Sequence, residues 1–106
     1  MQRVGMTWRV NPEHWEAYKA IHLNPWPELL EAIQDAGIQN YSIFAFGTRV
    51  FAYMEVDGDV ATALDILTQT DVKQRWDREV TVWVLPEAED GTGIQFMELE
   101  QIFYCP

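Results

Sequence analysis

The sequence predicts an α+β domain in which one antiparallel sheet carries helices on a single face. Three observations carry that expectation. Residues 3–10 alternate strictly, with Val4, Met6, Trp8 and Val10 on one side and Arg3, Gly5, Thr7 and Arg9 on the other, the period of a half-buried strand. Residues 38–46 and 49–56 are two strand-forming runs joined by Gly47-Thr48, a two-residue hairpin turn. Between and after these runs, capped stretches repeat apolar residues at helical spacing.

The elements follow in order. Asn11-Pro12 reads as N-cap and first helical position, since Asn accepts from a free N–H and Pro lacks one, so a helix is expected over 12–23. Asn24-Pro25 interrupts it, because proline disfavours helix in the residue before it. A second helical segment, 26–36, carries Pro27 in its first turn and stops at Gly37. After the hairpin, Asp59 caps a helix over 60–68, and Thr70-Asp71 starts another that reaches Trp83. In that helix Val72, Trp76, Val80 and Trp83 share one face. Pro86 to Gly93 reads as a surface loop, and 94–104 as a last strand with Met97, Leu99 and Phe103 on one face. The order β-α(α)-β-β-α(α)-β is the ferredoxin-like arrangement. Its second sheet face would present Phe44, Phe46, Phe51 or Tyr53, which a second subunit would cover.

Composition bounds the function. The 106 residues make one domain, 1–106. Asp and Glu number 17 against 7 Lys and Arg, a formal net charge of -10. Such a surface repels phosphate backbones and anionic lipid, which argues against nucleic acid and membrane partners. The single cysteine, Cys105, makes no internal disulfide and no cysteine zinc site, and points to the reducing cytoplasm. No apolar run approaches the roughly 20 residues of a membrane span, and no signal peptide is visible. Aromatic residues make up 13% of the chain, more than a core of this size needs, so some are expected to line a pocket.

His22 is the leading candidate for chemistry. At helical spacing it forms one stripe with Trp15 and Tyr18, one turn before the break at Asn24-Pro25-Trp26-Pro27. Two readings fit: a core histidine bonded to a backbone carbonyl, or an imidazole that moves a proton at neutral pH. His14 falls in the first helical turn and is expected to be exposed. Two histidines eight residues apart do not make a zinc site, so no catalytic metal is expected. Trp76 reads as core beside a solvated Asp77, and Glu28 as a capping charge at a helix start. The Tyr41 hydroxyl, if turned toward the helices, needs either a backbone carbonyl or a ligand as partner.

Together these features resemble the L-rhamnose mutarotase family. The matching elements run nearly end to end: Val10-Asn11-Pro12, Tyr18-x-x-x-His22, Trp26-Pro27-Glu28-Leu29, Asn40-Tyr41, Thr70-Asp71-Val72-x-Gln74-Arg75-Trp76 and Phe103-Tyr104-x-Pro106. The resemblance implies a small cytoplasmic homodimer of the dimeric α/β-barrel type. It would interconvert the α and β anomers of a 6-deoxy-L-hexose by acid/base ring opening, without cofactor or metal. Carried over by position, His22 would be the proton donor to the ring oxygen, and Tyr18, Tyr41 and Trp76 would bind the sugar. Asp77 stands where the family usually has a second Trp, and joins the binding set as an acceptor of sugar hydroxyls. That exchange leaves L-rhamnose, or L-fucose with its different hydroxyl orientation, as the substrate. The C1 hydroxyl proton would go to Tyr41, Asp77 or water. Two rival readings share the fold class: a cofactor-free monooxygenase acting on aromatic substrates, and a non-catalytic small-ligand-binding module.

Overall fold

A computed structural model of the chain describes residues 1–87, 93 and 95–106. Strand β1, Gln2–Val10, keeps its alternation: Val4, Trp8 and Val10 are buried. Asn11 caps as its side chain predicts, accepting from the Glu13 N–H at 3.0 Å. The expected helix from Pro12 begins instead as a 3-10 turn, Pro12–His14, and becomes α-helical as α1, Trp15–Leu23. Asn24 ends it ahead of Pro25, and α2 spans Pro27–Asp35. Gly37, at φ 87°, reverses the chain after α2 while its N–H donates to the Gln34 carbonyl at 3.0 Å.

Strands β2, Ile38–Phe46, and β3, Arg49–Val56, form the hairpin, with Gly47 at φ 62° in the turn. Their register slips between Gln39 and Ser42, where Asn40 and Tyr41 lie opposite one residue of β3. Asn40 takes the left-handed φ of 50° that this bulge requires, and its side chain donates to Glu55 at 2.8 Å. The extra residue matters for the site. It lets Ile38, Tyr41 and Ile43 all face the helices, which an unbroken period of two forbids.

Helix α3, Val60–Thr68, is capped by Asp59, which accepts from the Thr62 N–H at 2.9 Å. Helix α4, Asp71–Val80, is capped by Thr70. It ends three residues earlier than expected, and Thr81–Trp83 continue as a 3-10 turn. Val72, Trp76 and Val80 are buried on its inner face, while Trp83 is only half-buried.

The last strand departs from expectation. Of the strand expected over 94–104, whose residue 94 lies outside those described, only β5, Met97–Leu99, forms, and a short strand β4, Val84–Leu85, precedes it. Both pair antiparallel with β1, β4 at Arg9–Val10 and β5 at Gly5–Thr7, and they share its edge. Beyond Leu99 the tail leaves the ladder and is held by side chains: Arg3 donates to the Tyr104 hydroxyl at 2.6 Å, with its guanidinium over the ring. Ile102 and Phe103 stay exposed, so the alternation read in this segment packs against no second layer within the chain. Pro86, Glu87 and Gly93 of the expected surface loop are outside regular structure; its residues 88–92 lie outside those described.

The sheet order is β2-β3-β1-β4, all antiparallel, with the helices on one face. Two buried clusters join sheet and helices, one around Trp8, Tyr18, Leu29 and Trp76, the other around Val4, Ile38, Val56 and Leu67. Phe44, Phe46 and Phe51 point from the opposite face and are exposed in this chain. Among the described residues no helix is long and apolar enough to cross a membrane.

Candidate active site

A cavity of about 710 Å³ opens between the helices and the β2–β3 hairpin. Helix α1 supplies Tyr18 and His22, β2 supplies Tyr41, and α4 supplies Lys73 and Trp76; Leu29 and Ile33 of α2 are among the apolar wall. Tyr18 and His22 are four apart, so they meet on one helix face, and their rings stack with centroids 4.2 Å apart. His22 is the last residue but one of α1, which ends at Leu23.

Burial sets the proton affinities of the two rings, and hydrogen bonds set which atoms carry hydrogen. The Trp8 indole N–H donates to the Tyr18 hydroxyl oxygen at 2.7 Å. That oxygen is therefore an acceptor on one side and keeps its own O–H to donate elsewhere. Burial pushes the Tyr18 pKa up to about 12, against the pull of the Trp8 bond. His22 Nδ1 lies 2.7 Å from the Tyr18 carbonyl oxygen. A carbonyl only accepts, so Nδ1 carries the hydrogen and Nε2 is the free ring nitrogen. Burial holds the His22 pKa below its ordinary value, partly opposed by that carbonyl bond. At neutral pH the imidazole is uncharged and Nε2 offers a lone pair. The bond to a backbone carbonyl is the one expected of a core histidine, and the residue also lines the cavity.

Tyr41 reaches the cavity through the β2 bulge. Burial, and then the nearby Asp77 charge, push its pKa up to about 12, so it stays a donor. Among the described residues its hydroxyl makes no hydrogen bond. Trp76 is fixed by two edge contacts, with His22 at 5.1 Å and with Trp26 at 5.2 Å.

The structure thus brings Tyr18, His22, Tyr41 and Trp76 around one cavity. Asp77 is not in its wall; the carboxylate pairs with the Lys73 ammonium one turn earlier on α4. Glu28 lies outside the wall, 3.9 Å from Arg75, and His14 stacks on Trp83 with ring centroids 5.9 Å apart. Cys105 is exposed. Sequence reasoning missed Lys73 and Trp8. The first had a signal, the i,i+4 spacing of Lys73 and Asp77. Trp8 had none, since its alternation marks it only as core. Among the described residues no three His, Cys, Asp or Glu side chains converge. The cavity wall offers an imidazole, a group able to move a proton near neutral pH, beside two tyrosine hydroxyls and an indole face.

Comparison with known proteins places the chain among relatives of one name. The family model described as L-rhamnose mutarotase matches residues 3–105. The L-rhamnose mutarotase of Shigella flexneri serotype 5b is 32% identical over 108 residues, covering 100% of each chain. Among solved structures, an L-rhamnose mutarotase from Formosa agariphila matches with a TM-score of 0.76 and 25% identity, over 100% of both chains. An antibiotic biosynthesis monooxygenase matches with a TM-score of 0.65 over 96% of this chain and 99% of its own; at 15% identity the likeness is one of fold alone.

Proposed function

The chain belongs to the L-rhamnose mutarotase family, and we propose that it exchanges the α and β anomers of L-rhamnose in the cavity walled by Tyr18, His22, Tyr41 and Trp76, with His22 moving the proton. The enzyme is an isomerase, and the substrate is a small neutral sugar, for which the charge of -10 is no obstacle. The observation behind the site assignment is His22 itself: Nδ1 is held by the Tyr18 carbonyl, so Nε2 is the unprotonated nitrogen of a ring that lines the cavity.

The proton path follows from that geometry. Neutral Nε2 accepts the proton of the C1 hydroxyl as the C1–O bond becomes a carbonyl and the bond from C1 to the ring oxygen breaks. The imidazolium then gives the same proton to the ring oxygen, leaving the open-chain aldehyde. Rotation about C1–C2 and the reverse steps close the ring on the other face. Both oxygens are bonded to C1, so one nitrogen serves both, and His22 is the donor to the ring oxygen after first receiving the proton. Tyr18 and Tyr41 donate to sugar oxygens, and Trp76 packs on the C–H face. A single positioned acid/base contributes roughly 10²–10⁴-fold.

The protein acts as a cytoplasmic homodimer in this reading. The support for the dimer is the exposed Phe44, Phe46 and Phe51 on the face without helices. The test of the site is exchange NMR between the anomers of L-rhamnose. His22→Ala is expected to lower the rate by roughly 10²–10⁴-fold. A folded His22→Ala protein that exchanges as fast as the parent refutes the assignment.

A further inference from the structure

We infer that Lys73, held in place by Asp77, is the residue that reads a sugar hydroxyl in this cavity and confines it to neutral sugars. The inference rests on the functional reading above and extends it to specificity.

Among the described residues two charged side chains line the cavity, Lys19 and Lys73, and no carboxylate does. Each ammonium is balanced from outside the wall. Lys19 pairs with Glu16 at 3.4 Å, but these side chains are 47% and 84% exposed, so solvent dominates that pair. Lys73 and Asp77 are 26% and 35% exposed, and one turn of α4 sets their pairing. Lys73 and Tyr41 line the same cavity, so the ammonium held by Asp77 shares its wall with the Tyr41 hydroxyl.

An ammonium has three N–H donors and no acceptor. One N–H goes to Asp77, and the others are available to oxygens in the cavity. A hydroxyl oxygen presented there gains a charge-assisted hydrogen bond. A carboxylate presented there meets an ammonium already neutralised by Asp77, and adds a second negative charge beside it. Asp77 therefore acts on specificity as a positioning residue, through Lys73, rather than as a contact to the sugar. Where the family pattern has a second Trp, this chain carries an ion pair whose lysine lines the cavity.

Two variants test this with anomer-exchange kinetics on L-rhamnose and on D-galacturonate. Lys73→Met keeps the apolar stem and removes the charge. It is expected to raise KM for L-rhamnose roughly tenfold or more, with kcat within about threefold, because a hydrogen bond from a charged donor is lost from ground and transition state alike. Asp77→Asn leaves the ammonium unpaired, and is expected to raise the ratio of kcat/KM for D-galacturonate over L-rhamnose roughly tenfold. An unchanged L-rhamnose KM in Lys73→Met, or an unchanged ratio in Asp77→Asn, overturns the inference; if Lys73→Met does not fold, the Asp77→Asn ratio decides alone. Should the parent protein exchange no anomers, the functional reading fails separately. Binding of L-rhamnose by saturation-transfer NMR then decides: roughly tenfold weaker binding by Lys73→Met supports the role of Lys73, while equal binding, or none by the parent, overturns it.

Discussion

The indole N–H of Trp8 donates to the hydroxyl oxygen of Tyr18 at 2.7 Å, joining the first strand to the first helix beneath the cavity. Both residues are buried. The bond does two things. It satisfies the Trp8 donor away from water, and by occupying a lone pair of the Tyr18 oxygen it leaves that O–H to donate to another partner.

Trp8→Phe removes the donor and part of the packed ring. We expect a loss of about 1–3 kcal/mol in urea unfolding. The anomer-exchange rate should fall as well, because the Tyr18 hydroxyl loses the bond that orients it. A variant as stable and as active as the parent contradicts this account.

The pH profile follows from His22, whose pKa burial holds below about 6.5. The neutral imidazole is the form that accepts the C1 hydroxyl proton, so kcat/KM is expected to be flat above about 6.5 and to fall as pH drops through the lowered value. Stability has the same sign. Between the two pKa values the unfolded chain binds more protons, so this contribution is complete above about 6.5 and is lost as pH falls through the folded value. Comparing parent and His22→Gln by thermal unfolding across that range isolates it; parallel curves count against it.

The exposed aromatic face predicts association. Phe46 is 84% and Phe44 68% exposed in the single chain. A homodimer at micromolar concentration is expected in sedimentation velocity, and Phe46→Glu should shift it toward monomer. A parent protein that sediments as a monomer under those conditions removes the proposal of a dimer.

Much of the fold was legible because its signals are local. Strand bounds at 38–46 and 49–56 and the helix over 60–68 come out as read, since alternation, Gly47 and the Asp59 cap act within a few residues. The stripe of Tyr18 and His22 was equally readable, because four residues on a helix bring side chains together whatever surrounds them. The segment after residue 94 was not. Its alternation is real, but a strand forms only where an edge remains unpaired, and β1 has β4 on part of that edge.

By itself the sequence determined the element order, the caps, the helical pair at the heart of the site and the family pattern. Only the tertiary structure decided that Tyr41 faces the cavity, since a left-handed Asn40 resets the register of β2. It also decided that His22 Nδ1 is bonded to the Tyr18 carbonyl and that Lys73, paired with Asp77, lines the cavity. The physical reason is common to all three: periodicity and capping depend on neighbours along the chain, whereas burial, proton affinity and hydrogen-bond partners depend on what other elements bring across the fold.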